Sequence, residues 1–311
     1  MRFPIATIVL VHGIAQEQKA ADTLENEWLP ALAGGVRLAG YPEIADCLWR
    51  DRSIDVRMAF YGSQFLKRDQ QGDASGDLED AEEALAERLA MEWLERAAEQ
   101  ASRSQEKATA VRELAYVRSE VGAEEAGSGA VLRSAINGLA RVRWFAPYGF
   151  AFAARFVAKS LAQMTRYLSD EEIRSAAQQA VLDQIGPETK IVISHSLGSV
   201  VAYEAVQRLN RPLPLLITLG SPLGLDTLIY PKLRPQPPIF PPGLNRWVNI
   251  AGRDDFIAAA PDLTSLFSTG IPEDAIFEGG WTVDTGAQPH CAEFYLTKVE
   301  VGRPVRETLS A

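Results

Sequence analysis

Lys190-Ile191-Val192-Ile193-Ser194-His195-Ser196-Leu197-Gly198-Ser199-Val200-Val201 is the stretch on which the fold turns. The β-branched run Ile191, Val192, Ile193 predicts a short buried strand. Past Gly198, the residues Val200, Val201, Tyr203, Ala205, Val206 and Leu209 recur at helical spacing, which predicts a helix. A strand and a helix joined this tightly must bend sharply at Ser196 and hold its hydroxyl out beyond the sheet edge. Such a bend brings strand and helix close together, so the positions two before and two after the serine must be small. Ser194 and Gly198 meet that demand. Taken alone, the string also fits a serine-rich turn capping a helix, and the remainder of the chain has to separate the two.

Upstream, Ala6 to Val11 is a continuous apolar run of the kind found in strands covered on both faces. It ends in His12-Gly13-Ile14-Ala15. The elbow around Ser196 and the His-Gly pair after the first core strand together resemble the α/β-hydrolase family, in its lipase- and esterase-like branch. That family usually writes its elbow Gly-x-Ser-x-Gly, and Ser194 stands here in place of the first glycine. The resemblance implies that the loop after the first strand lends a backbone N–H to an oxyanion hole, where a glycine allows close approach. Mapped onto this chain, the donors are the N–H of Ile14 or Ala15 and that of Leu197. The His12 side chain is read as satisfied by local backbone, with no chemistry of its own.

A serine hydroxyl is a weak nucleophile near neutrality and needs a base whose pKa lies close to working pH, which means histidine. The chain holds three. His12 belongs to the oxyanion loop, and His195 sits inside the elbow, with its side chain expected to point away from that of Ser196. His290 remains, just past the last predicted strand, where the family keeps its base. The carboxylate that would fix its tautomer is Asp255, in Gly252-Arg253-Asp254-Asp255-Phe256-Ile257, with Asp254 one residue away and Asp226 as a more remote choice. The chain order Ser, Asp, His is the one this family uses.

Further strands are expected at Ile54–Tyr61, Leu213–Leu219, Arg246–Ile250 and Trp281–Val283. An amphipathic helix is expected over 16–33, kinked or ended early by Pro30 and closed by Gly34-Gly35, and His290 should open a helix containing Phe294, Tyr295 and Leu296. Thr218-Leu219-Gly220-Ser221-Pro222-Leu223 resembles the segment after the elbow helix in lipase-like members, and a stiff proline-rich loop comes next at 231–242. Between the second strand and the elbow lie about 130 residues, several times an ordinary crossover. Asp69 to Asp77 reads as an exposed loop, and Leu78–Arg103 as a solvated helix with Leu78, Leu85, Leu89, Trp93 and Leu94 on one stripe. From Ala126 to Leu168 there is no acidic residue, while Arg133, Arg141, Arg143, Arg155, Lys159 and Arg166 are basic and Trp144 to Phe152 is dense in aromatics. Ser169-Asp170-Glu171-Glu172 reads as a capping box opening a helix through Leu182.

Taken together, the expected architecture is an α/β-hydrolase domain over 1–311. Its mostly parallel sheet is flanked by helices and lacks the family's first two strands, and a helical insertion at 64–168 serves as cap or lid. The implied chemistry is hydrolysis of carboxylic esters through an acyl-enzyme on Ser196, with a small-molecule or lipid acyl substrate. A thioesterase, amidase or peptidase would use the same triad, and an interaction protein could carry it as a vestige. Contact between the basic rim of the insertion and an anionic membrane is the lesser reading of that segment.

Composition bounds these readings. The 311 residues are 47% apolar, enough for a large core, and the net charge of −10 argues against a nucleic-acid partner. Two cysteines, Cys47 and Cys291, make no disulfide framework, and no spacing suits a metal, so neither metal nor cofactor is expected. The N-terminal run is too short for a signal peptide and is needed as a strand, and no apolar stretch reaches membrane length, so a cytoplasmic protein is expected.

Overall fold

The computed structural model describes residues 7–66, 80–121, 129–142, 150–258, 260–286 and 288–310. In chain order the elements are β1 (Ile8–Val11), α1 (Ala21–Leu38), α2 (Pro42–Trp49), β2 (Val56–Ala59), α3 (Asp80–Gln100), α4 (Ser104–Val121), α5 (Ala130–Arg141) and α6 (Phe150–Ser169). They continue with α7 (Glu171–Leu182), β3 (Ile191–His195), α8 (Leu197–Val206), β4 (Leu213–Leu219), β5 (Leu244–Gly252), β6 (Ile276–Val283), α9 (Ala292–Leu296) and α10 (Val299–Ser310). The chain divides into two compact units, one of residues 1–64 with 174–311 and the other of residues 65–173. Among the described residues, no helix is long and apolar enough to cross a membrane.

The first unit is an α/β structure around a six-stranded sheet in the order β2-β1-β3-β4-β5-β6, parallel throughout. Register aligns the carboxyl ends of the strands: Val11 lies opposite Ser194, His195 opposite Leu219, and Gly252 opposite Val283. Strand order reverses between β1 and β3, because the chain leaves β1 toward β2 and then returns to the other side. In open α/β sheets the crevice outside the strand ends at such a point is where ligands bind.

Both faces of the sheet are covered. On one, Ile8, Leu10, Ile191, Ile193, Ile217 and Ile250 bury against Leu24, Trp28, Leu32 and Val36 of α1 and Val301 and Val305 of α10. On the other, Trp247 stacks on Tyr203 of α8 and meets Phe267 edge-on. A buried ion pair, Arg174 to Glu204, ties α7 to α8, and Glu204 also accepts from Gln178 and from the Arg234 backbone N–H. These partners are what make a carboxylate tolerable in the interior beneath the elbow helix.

Several local expectations are corrected. Helix α1 runs through Pro30 and past Gly34-Gly35 to Leu38, because burial of Leu32, Ala33 and Val36 outweighs the helix-breaking cost of proline, about 3 kcal/mol. Gly35 is a crossing point rather than a stop: a Cβ there would overlap the carbonyl oxygen of Leu296, and one at Gly302 would overlap that of Gly35. At α7 the cap is Asp170, whose Oδ1 accepts from the N–H groups of Glu172 and Ile173; Ser169 donates instead to Glu82. Strand β6 starts five residues earlier than expected, at Ile276, with a register irregularity against β5. The helix expected after His290 is α9, which starts two residues later at Ala292 and holds Phe294, Tyr295 and Leu296.

Within the second unit, α3 packs on α4, α5 and α6, and α5 on α4 and α6. Leu85, Leu89, Trp93 and Leu94 are buried together with Ala86, Ala90 and Ala97, so the apolar stripe of α3 is wider than its large residues alone indicate. Arg118 bridges to Glu95 and Arg141 to Glu113, pairing charges between helices. The expected loop at Asp69–Asp77, Leu78, and Trp144 to Gly149 of the aromatic stretch lie outside the described residues.

Candidate active site

At the carboxyl end of β3 the chain turns at Ser196, whose backbone adopts φ 56° and ψ −132° before α8 begins at Leu197. A non-glycine residue in this region carries about 1–3 kcal/mol of strain, which the surroundings must overrule. Here they do so by pinning both sides of the peptide. The Ser196 N–H donates to Leu219 O at 3.0 Å, and its carbonyl accepts from the Ser199 hydroxyl at 2.6 Å, which in turn meets Ser221 at 2.7 Å. Gly198 admits the close approach of helix to strand, since a Cβ there would overlap the His12 carbonyl oxygen and lie 2.6 Å from that of Val11. Ser194, two residues before Ser196, is buried with its hydroxyl donating to Ile217 O at 3.1 Å. Ser196 is buried, and its Oγ makes no hydrogen bond among the described residues.

His290 and Asp255 are brought together, Nδ1 to Oδ2 at 2.7 Å, while neither Asp254 nor Asp226 takes that position. The Asp255 carboxylate is buried and its oxygens are committed. Oδ1 accepts from the N–H groups of Ile257 and Ala258 at 3.1 and 3.3 Å, and Oδ2 accepts from Tyr295 Oη at 2.6 Å as well as from the imidazole. Gly220, the residue after the acceptor of the Ser196 N–H, has φ +54° and faces this pair: a Cβ there would lie 2.8 Å from Asp255 Oδ2 and 3.2 Å from His290 Nδ1. From the other side the His195 ring packs on the His290 ring, centroids 4.5 Å apart. Leu219, whose carbonyl accepts the Ser196 N–H, precedes Gly220, and His195 precedes Ser196, so both neighbours of the pair are tied to the turn.

The loop after β1 borders the same turn. A Cβ on Gly13 would lie 2.7 Å from the Cβ of Ser196, and the neighbouring Ala15 has φ 59°. Ile14 and Ala15 therefore flank the elbow. Leu197 is the first residue of α8, where a helix leaves its N–H groups without intrahelical acceptors. His12 is held by backbone: Nδ1–H donates to Gly13 O at 2.7 Å and Nε2 accepts the Tyr61 N–H at 3.1 Å. Burial lowers its pKa to about 4.

Three members of this constellation escape a reading of the sequence. Gly220 reads there only as part of the Thr218–Leu223 segment. Tyr295 reads only as a member of the helix after His290, although a tyrosine in such a run signals a buried hydroxyl that needs a partner. His195 is expected to point away from Ser196, and its ring lies against that of His290; burial first, and then the nearby His290, push its pKa well below the ordinary value. Cys291, adjacent to His290, is held as a thiol. Burial and the contact with Glu293 push its thiol up to about 12.

No family model, curated protein or solved structure matches this chain.

The buried histidines make the fold acid-sensitive. His12 falls from 6.5 to about 4 in the folded state, so below pH 6.5 the unfolded chain binds a proton that the folded chain refuses. Its stabilising contribution is full above that value and is lost as the pH drops toward 4, by about 3 kcal/mol at most. The shift at His195 has the same direction. The urea midpoint is expected to fall between pH 7 and pH 5; an unchanged midpoint would show that neither ring is held neutral.

Proposed function

We propose that this chain is a serine hydrolase of the α/β-hydrolase fold that cleaves carboxylic esters through an acyl-enzyme on Ser196. The reading rests on one observation, a buried histidine–carboxylate pair at the same carboxyl end of the sheet as a serine on a strained strand-to-helix turn. In this reading His290 takes the Ser196 proton as the hydroxyl attacks the acyl carbonyl, and Asp255 stabilises the imidazolium that forms. The Leu197 N–H and one from Ile14 or Ala15 hold the developing oxyanion, each worth on the order of 3 kcal/mol. Collapse of the tetrahedral species returns the proton to the leaving alcohol, and water repeats the sequence to free the acid. The all-parallel six-stranded sheet is compatible with the family's fold, and the proposed elbow lies at the strand-order reversal. The aromatic density of Trp144 to Phe152 favours apolar acyl groups.

A fluorophosphonate probe tests the reaction class. Wild-type protein is expected to be labelled and Ser196→Ala not; equal labelling of the two, or none of the wild type, would end the hydrolase reading. With p-nitrophenyl esters of rising chain length, kcat/KM is expected to climb with acyl length. A flat series would remove the apolar acyl pocket from the proposal.

A further inference from the structure

Tyr295, on α9, is fully buried, and its hydroxyl is used twice. It donates to Asp255 Oδ2 at 2.6 Å and accepts the N–H of Gly252, the last residue of β5, at 2.5 Å. The oxygen it reaches is the one that accepts the His290 Nδ1–H, while two backbone N–H groups occupy the other. The phenol and the imidazole therefore compete for the same carboxylate charge. There is no slack in the arrangement, since a Cβ on Gly252 would lie 2.6 Å from the phenol oxygen.

We propose that Tyr295 is a positioning residue that sets the basicity of His290 by sharing Asp255 Oδ2 with it, an inference that rests on the serine-hydrolase reading above. A donor on Oδ2 draws charge from the carboxylate and so weakens its hold on an imidazolium. It also keeps Oδ2 an acceptor toward Nδ1, which leaves Nε2 as the nitrogen without a proton. Asp255 is a charged group at hydrogen-bond distance from the imidazole. On β3, His195 lies with its ring 4.5 Å from that of His290 and 5.9 Å from that of Tyr295, and burial keeps it neutral. From α1 the facing side chain is Trp28, edge-on to His195, and the neighbouring Cys291 stays a thiol. Tyr295 itself stays protonated, by burial and by the adjoining carboxylate.

The second-order rate of fluorophosphonate labelling, followed from about pH 5 to 9, reports the ionisation of the free enzyme's base without requiring the natural substrate. In Tyr295→Phe the acid limb of the profile is expected to move up by about 0.5 to 1 pH unit. Site-specific 3,5-difluorotyrosine at 295 keeps the packing and strengthens the donor, and should move the limb down. A tyrosine that merely fills space would lower the plateau and leave the limb in place. Wild type labelled normally, with the limb unmoved in both variants, overturns this inference alone. A wild type that is not labelled overturns the hydrolase reading and this inference with it. Should Tyr295→Phe fail to fold, the fluorinated protein decides by the direction of its shift.

Discussion

Replacing Ser196 by alanine is expected to lower ester turnover by about 10⁶-fold and at the same time to stabilise the protein by about 1 kcal/mol. On the proposed reading, the loss comes from removing the attacking atom. The gain comes from the hydroxyl's surroundings, since Ser196 is buried and its Oγ makes no hydrogen bond among the described residues. A buried hydroxyl without a partner costs stability, and alanine deletes it while keeping the backbone that the Leu219 and Ser199 contacts impose. Opposite signs in the two measurements are the mark of a residue placed for chemistry rather than for folding. Turnover of a p-nitrophenyl ester and urea melts read them out. Retained turnover would exclude Ser196 as nucleophile, and a loss of stability above about 1 kcal/mol would make it a structural residue.

Asp255→Asn is expected to cost about 10⁴-fold in kcat with the protein still folded. The Ile257 and Ala258 N–H groups require an oxygen at the Oδ1 position, so the new amide nitrogen must take the Oδ2 position. There it faces His290 Nδ1 and Tyr295 Oη as a donor. Nδ1 must then give up its proton and accept, which moves the proton to Nε2 and leaves the ring unable to receive one from serine. Tyr295 loses its acceptor at the same time. A loss below about tenfold would mean that Asp255 does not govern the tautomer of the base.

The parts of this structure legible in sequence are those written in short-range pattern. The strand at Leu213–Leu219 has the bounds its apolar run predicts, and the turn at Ser196 comes from a strand and a helix too close to be joined otherwise. Asp255 and His290 are reachable because the chain has so few histidines and because β5 ends just before the acidic pair. The illegible parts depend on partners far along the chain. Helix α1 outlasts its proline because Leu32 and Val36 find the sheet, and Gly35 reads as a stop until α10 is seen crossing it. Tyr295 joins the site only once α9 is seen packed beneath the end of β5. The His195 contact pairs residues 95 positions apart, and no local pattern announces it.

The position of β1 bears on how the protein is made. The first strand in chain order lies inside the sheet, between β2 and β3, and its second neighbour does not exist until residues 12–190 have been synthesised. During that interval β2 can pair with one side of β1, while the other side presents open backbone groups to any passing chain. Within residues 65–173, α3 packs on α4, α5 and α6, contacts whose residues are all synthesised before β3. Nascent chains arrested before β3 are therefore expected to leave one edge of β1 open longest.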